Sequence, residues 1–119
     1  MFREFRHTIM VDLDGTCFFS HGDLFNIITK DVIVLPGVHL RFAEWREKDY
    51  YVVITTARPE SMRALTLKHL SDNGLWCDQL VMGLPIGPRV VINDAKPNGM
   101  ITAKAFCIER DKGLKNVNI

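Results

Sequence analysis

Three apolar runs punctuate the chain, and each stops abruptly at polar residues. Ile9-Met10-Val11 ends at Asp12, Tyr50-Tyr51-Val52-Val53-Ile54 ends at Thr55-Thr56, and Arg89-Val90-Val91-Ile92 ends at Asn93-Asp94. Runs this short with no polar alternation predict strands buried on both faces. The first strand is expected over about His7 to Val11, a short one over Asp78 to Met82, and a last one over Ala103 to Ile108. Helical spacing fills the gaps. Pro36-Gly37 opens a helix to about Lys48, with Val38, Phe42 and Trp45 on one face. A second helix starts at Arg58-Pro59-Glu60-Ser61, with Pro59 at its first position, and stops near Asn73-Gly74. Leu24-Phe25-Asn26-Ile27-Ile28 leans toward β structure and is expected as a hairpin or flap.

Apolar strands alternating with helices define an α/β chain with a mainly parallel sheet covered on both faces, a Rossmann-like three-layer sandwich. At 119 residues, residues 1–119 make one domain. Composition is that of an ordinary globular protein, and the net charge of +1 carries no basic run, so charge gives no case for nucleic acid as the main partner. The apolar stretches are far too short to span a membrane, and the N-terminus carries no signal-length apolar core. Cys17, Cys77 and Cys107 form no CxxC pair and read as reduced thiols of a cytoplasmic protein. Cys17 is expected as an apolar filler.

In parallel α/β sheets ligands bind at the carboxyl ends of the strands. Here those ends carry the chemistry. Asp12 and Asp14 lie one residue apart and are followed by Gly15, which permits a sharp turn. Two neighbouring carboxylates repel, and a cation relieves that repulsion. Thr55 and Thr56 end the second run, with Arg58 just beyond; Asn93 and Asp94 end the third, with Lys96 just beyond. His21, His39 and His69 are scattered without ligand spacing and read as surface or core residues.

From Ile9 to about Gly99 the chain resembles the haloacid dehalogenase-like (HAD) superfamily of phosphohydrolases. Asp12-Leu13-Asp14-Gly15-Thr16 matches the first family motif in full, Ile54-Thr55-Thr56-Ala57-Arg58 resembles the second, and Asn93-Asp94 stands where the fourth has an acid pair. The lysine of a Gly-Lys-Pro form of the third motif is absent, since the chain reads Gly83-Leu84-Pro85. Lys96 is the preferred replacement, entering from beyond Asp94. Arg89 is the alternative, although as the first residue of a strand it would point to the far end of the sheet.

The resemblance implies that Asp12 attacks phosphorus and becomes a phospho-aspartate, with Asp14 as general acid and then general base. It implies Mg²⁺ held by Asp12, Asp94 and the Asp14 backbone carbonyl. Thr56 would bind a phosphoryl oxygen, Lys96 or Arg89 would stabilise transition-state charge, and Thr55, Arg58, Gly15 and Asn93 would line the substrate. About forty residues separate Thr16 from Thr56 and about thirty-three separate Thr56 from Arg89, and the expected elements fill both intervals, so no cap domain fits. An open site admits a large substrate, or is covered by a second copy in a homo-oligomer with the 24–34 flap at its mouth. The Asn-Asp-x-Lys-Pro-Asn-Gly segment is similar to small bacterial members linked to surface-polysaccharide synthesis, which favours a small sugar phosphate as substrate. The alternatives are a nucleic-acid or nucleotide phosphatase, and a catalytically silent phosphate-binding or assembly module.

Overall fold

A computed structural model of the chain describes residues 6–119. Its three strands, β1 (Thr8–Asp12), β2 (Tyr51–Thr55) and β3 (Gln79–Val81), pair in parallel in the order β1-β2-β3. Asp12 lies opposite Thr55, and Thr55 opposite Val81, so all three strands end in line. Three helices accompany them: α1 (Leu24–Thr29), α2 (Val38–Glu47) and α3 (Arg63–Asp72), the last entered through a 3-10 turn at Glu60–Met62.

The sequence explains most of these boundaries. Val38, Phe42 and Trp45 turn one buried face of α2 toward the sheet. At the end of α3 the amide of Gly74 donates to the Ser71 carbonyl at 3.3 Å and that of Leu75 to Leu70 at 2.9 Å, with Gly74 at φ +72. This double bond pattern closes the helix through a left-handed residue and packs Leu75 near Leu70. The 24–29 segment is a helix rather than a hairpin. Asp23 supplies the reason, since its carboxylate accepts from the Asn26 amide at 2.8 Å and starts the turn.

Two same-handed crossovers that add strands in sequential order leave both helices on one face. Ile9, Val11, Val52, Ile54 and Leu80 accordingly share one core with Phe42 and Trp45 of α2 and Leu70 of α3. On the opposite face Met10 is 58% exposed. The chain is therefore α/β around a small parallel sheet, with α2 and α3 packed on the face that carries this core. The expected strands over Arg89–Ile92 and Ala103–Ile108 are absent: residues 84–108 form an arm without helix or strand, exposed at every position from Pro85 to Ile101.

The arm is rooted at both ends. The Leu84 amide donates to the Thr56 carbonyl at 3.2 Å, and beyond the arm the Asp111 amide donates to the Gly15 carbonyl at 2.8 Å. The last residues then return to the core, where Leu114 and Val117 are buried and Arg41 donates to the Leu114 carbonyl at 3.0 Å. Among the described residues no helix is long and apolar enough to cross a membrane.

Candidate functional site

The first turn after β1 is built around the Leu13 carbonyl, which accepts from the amides of Thr16, Cys17 and Phe18 at 3.2, 2.8 and 3.0 Å. Gly15, at φ +89, makes that reversal possible. The turn keeps Asp12 and Asp14 at the carboxyl edge of the sheet. Thr16 Oγ1 donates to Asp12 Oδ2 at 3.2 Å. Burial pushes the Asp12 carboxyl above its ordinary value; the Thr16 and Leu13 hydrogen bonds and the Arg89 charge oppose that shift, while the Asp14 charge adds to it. Cys17 is fully buried and burial pushes its thiol far up, so it is a core filler rather than a nucleophile.

The loop after β2 supplies the second part. Thr55 is buried beside Asp12. Thr56 is 1% exposed and its Oγ1 accepts from the Arg58 amide at 3.1 Å, so the hydroxyl shapes its own loop. Arg58 is 4% exposed and turns its guanidinium onto Asp14 as a fork, Nε to Oδ2 and Nη2 to Oδ1, both at 2.8 Å. Its remaining amine, Nη1, reaches Thr66 Oγ1 and His69 Nδ1 of α3, both at 3.1 Å. Arginine has no acceptor, so His69 carries its proton on Nε2 and accepts through Nδ1. Burial, helped by the Arg58 charge, lowers the pKa of His69 and favours this neutral form.

The structure thus brings together Asp12, Asp14, Gly15, Thr55, Thr56 and Arg58. It does not bring Asp94, Asn93 and Lys96 to them. Asp94 is 77% exposed on the arm and pairs with Lys96 at 3.9 Å, while the Asn93 side chain donates to the Thr102 carbonyl at 3.1 Å. Because 89–92 forms no strand, its end is not delivered to the sheet edge. Arg89, at the arm's foot, is the cation whose charge reaches Asp12, while its Nη1 donates to the Pro85 and Gly87 carbonyls at 3.0 and 2.7 Å. Among the described residues no group of three or more His, Cys, Asp or Glu side chains is arranged to hold a metal. A shallow hollow lined by His39, Phe42, Arg46 and Trp76 lies away from these residues.

Thr66 and His69 are the participants that motif reading passes over. Their three-residue spacing on α3 was the available signal, because it places both on one helix face. Compared with known proteins, the chain matches no family model, no curated protein and no solved structure.

Proposed function

We propose that the protein is a phosphohydrolase of the HAD-like type, cleaving a small phosphate monoester, with a sugar phosphate as the favoured substrate class. The observation supporting this reading is the meeting of Asp12, Asp14, Thr55 and Arg58 where two parallel strands end. In the first step an Asp12 oxygen would bond to phosphorus as the bond to the leaving oxygen breaks, and Asp14 would give that oxygen its proton. In the second, water would attack the phospho-aspartate, Asp14 would take the water's proton, and Asp12 would leave as a carboxylate with inorganic phosphate released. The cationic foot residue Arg89 would offset charge on the transferring group.

Mg²⁺ belongs to this proposal through the resemblance, as do the capless single domain, the three-layer form of the sheet and a cytoplasmic location. The residues do not fit a divalent-ion site as they stand, since Asp94 sits exposed on the arm beside Lys96 and no group of three His, Cys, Asp or Glu among the described residues is arranged to hold a metal. Recruiting Asp94 would require the run Val90-Val91-Ile92 to pair with the outer edge of β1, the edge not paired with β2. No step above depends on the ion.

The test is hydrolysis of an aryl phosphate with Mg²⁺, with EDTA, and by Asp12→Asn. Activity is expected to fall by at least about a hundredfold in the variant, and the EDTA arm reads whether a divalent ion contributes. Undiminished turnover by Asp12→Asn would rule out the phospho-aspartate. A second reading, a silent phosphate-binding module, is favoured by one observation, the occupation of both Asp14 oxygens by Arg58. It predicts phosphate binding with no turnover.

A further inference from the structure

We infer that Arg58 is a positioning residue for Asp14, and that Thr66 and His69 of α3 hold Arg58 in the geometry that does so. This rests on the phosphohydrolase reading and extends it to residues outside every recognised motif.

A general acid must present one proton-bearing oxygen to the leaving group, so the plane of its carboxyl matters as much as its location. A single hydrogen bond leaves an aspartate carboxyl free to rotate about its last bond. The Arg58 fork contacts both oxygens at 2.8 Å and fixes that plane. It takes one lone-pair direction on each oxygen and leaves the others open on a side chain 22% exposed.

The fork is itself fixed from behind. Thr66 is fully buried and accepts at 3.1 Å from the same Nη1 that faces His69 Nδ1. The Arg58 backbone is tied as well, its amide to Thr56 Oγ1 at 3.1 Å and its carbonyl to the Gly83 amide at 2.7 Å. The Phe18 ring lies 5.9 Å from the guanidinium carbon. Arg58 therefore joins, through its side chain and backbone together, the turn after β1, the loop after β2, α3 and Gly83, two residues past β3. A buried ion pair alone would be an ordinary packing device, because removing either partner of such a pair is costly wherever it occurs. The distinction here is that the carboxylate at the exposed end of the network is one of the motif pair.

The test uses Thr66→Val, which keeps the side-chain shape and removes the acceptor, and Arg58→Lys, which keeps the charge and removes the fork. Each is compared with wild type on para-nitrophenyl phosphate, whose leaving group needs no proton, and on glycerol phosphate, whose alkoxide does. Both variants are expected to lose about tenfold more kcat on the alkyl ester than on the aryl ester, with KM little changed, because only the alkyl ester depends on a well-aimed acid. Equal losses on both esters, or no loss, would overturn the positioning role. The guanidinium Nη–H signals of Arg58, read by nitrogen-edited NMR, supply a readout independent of turnover. They should be resolved in wild type and collapse in Thr66→Val. Collapsed signals in an active wild type would overturn the clamp alone. Resolved signals in a wild type inactive on both esters would sink the phosphohydrolase reading and reduce the clamp to a structural role.

Discussion

The tripeptide Val-Val-Ile occurs at 52–54 and again at 90–92, in opposite surroundings. In β2 its residues are 0, 6 and 0% exposed; in the arm they are 81, 56 and 93% exposed. Local preference is the same in both places, so neighbours make the difference. The first copy has a strand paired on each side and helices packed over one face. The second has no paired strand, and the arm around it is crossed by isolated bonds such as Asn93 to the Thr102 carbonyl at 3.1 Å and the Lys96 amide to the Met100 carbonyl at 3.0 Å. Strand preference measures how well a residue fits an existing pleated surface, and without that surface a β-branched run confers no order. The contrast extends to shape. The radius of gyration is 15.0 Å, against about 13.5 Å expected for a compact chain of this length, and the longest extent is 50 Å.

The largest test of this contrast is a pair of truncations. Ile54→Ala removes a fully buried side chain and should cost about 2–5 kcal/mol in urea unfolding. Ile92→Ala removes one already in water and should fall within about 0.5 kcal/mol of wild type. Limited trypsin digestion gives the same comparison without mutation. Cleavage at Arg89 or Lys104 should precede cleavage at Arg46 or Arg63. Equal costs for the two truncations, with slow cleavage of the arm, would mean that the second Val-Val-Ile pairs in solution with the outer edge of β1. Asp94 would then approach Asp12, and the sheet would gain the strand its sequence pattern predicts.

How far the sequence could be read divides along the same line. The ends of β1 and β2 fall within a residue of the apolar runs, because those runs are buried and the polar residue after each marks the sheet edge. The stop of α3 was readable from Gly74, since few other residues adopt φ +72 without strain. Leu24 to Ile28 misled because its apolar residues outweighed a single capping aspartate, although Asp23 decides the local outcome. The strands at 89–92 and 103–108 were inferred from runs whose partners no local pattern can specify. Asp12, Asp14 and Arg58 were legible as a motif, but their pairing was not. A fork between residues 44 positions apart, backed by two side chains of a later helix, is a property of the fold.

Glycines sharpen the contrast at intermediate size. Gly113, at φ +83, faces Pro36 so closely that an added Cβ would lie 2.1 Å from its carbonyl oxygen. Gly99 has a similar φ of +85 with open space around it. Substitution by alanine at either site incurs the left-handed penalty of roughly 1–2 kcal/mol. Only Gly113→Ala must also displace backbone, so its Tm should fall clearly below that of Gly99→Ala. Matching losses would show that the return of residues 109–119 to Pro36 is looser than its hydrogen bond from the Leu114 amide to the Pro36 carbonyl at 2.9 Å suggests.

The smallest effect is electrostatic and separates two aspartates of the expected site. Burial raises the pKa of folded Asp12 above its unfolded value of about 3.8. Between those two values the folded chain binds more protons than the unfolded chain, so stability falls as pH rises through that window and stays lower above it. Asp12→Asn removes the cost of burying this charge while keeping an oxygen that can accept from Thr16. In metal-free buffer at pH 7 the variant should therefore melt slightly above wild type, and the advantage should vanish below pH 3.8. Asp94→Asn, at a side chain 77% exposed, should leave Tm unchanged across the same range. An Asp12→Asn protein that melts below wild type at pH 7 would mean that the Asp12 charge is held by a stronger partner than Thr16, and the foot of the arm, where Arg89 sits, is where that partner would be sought.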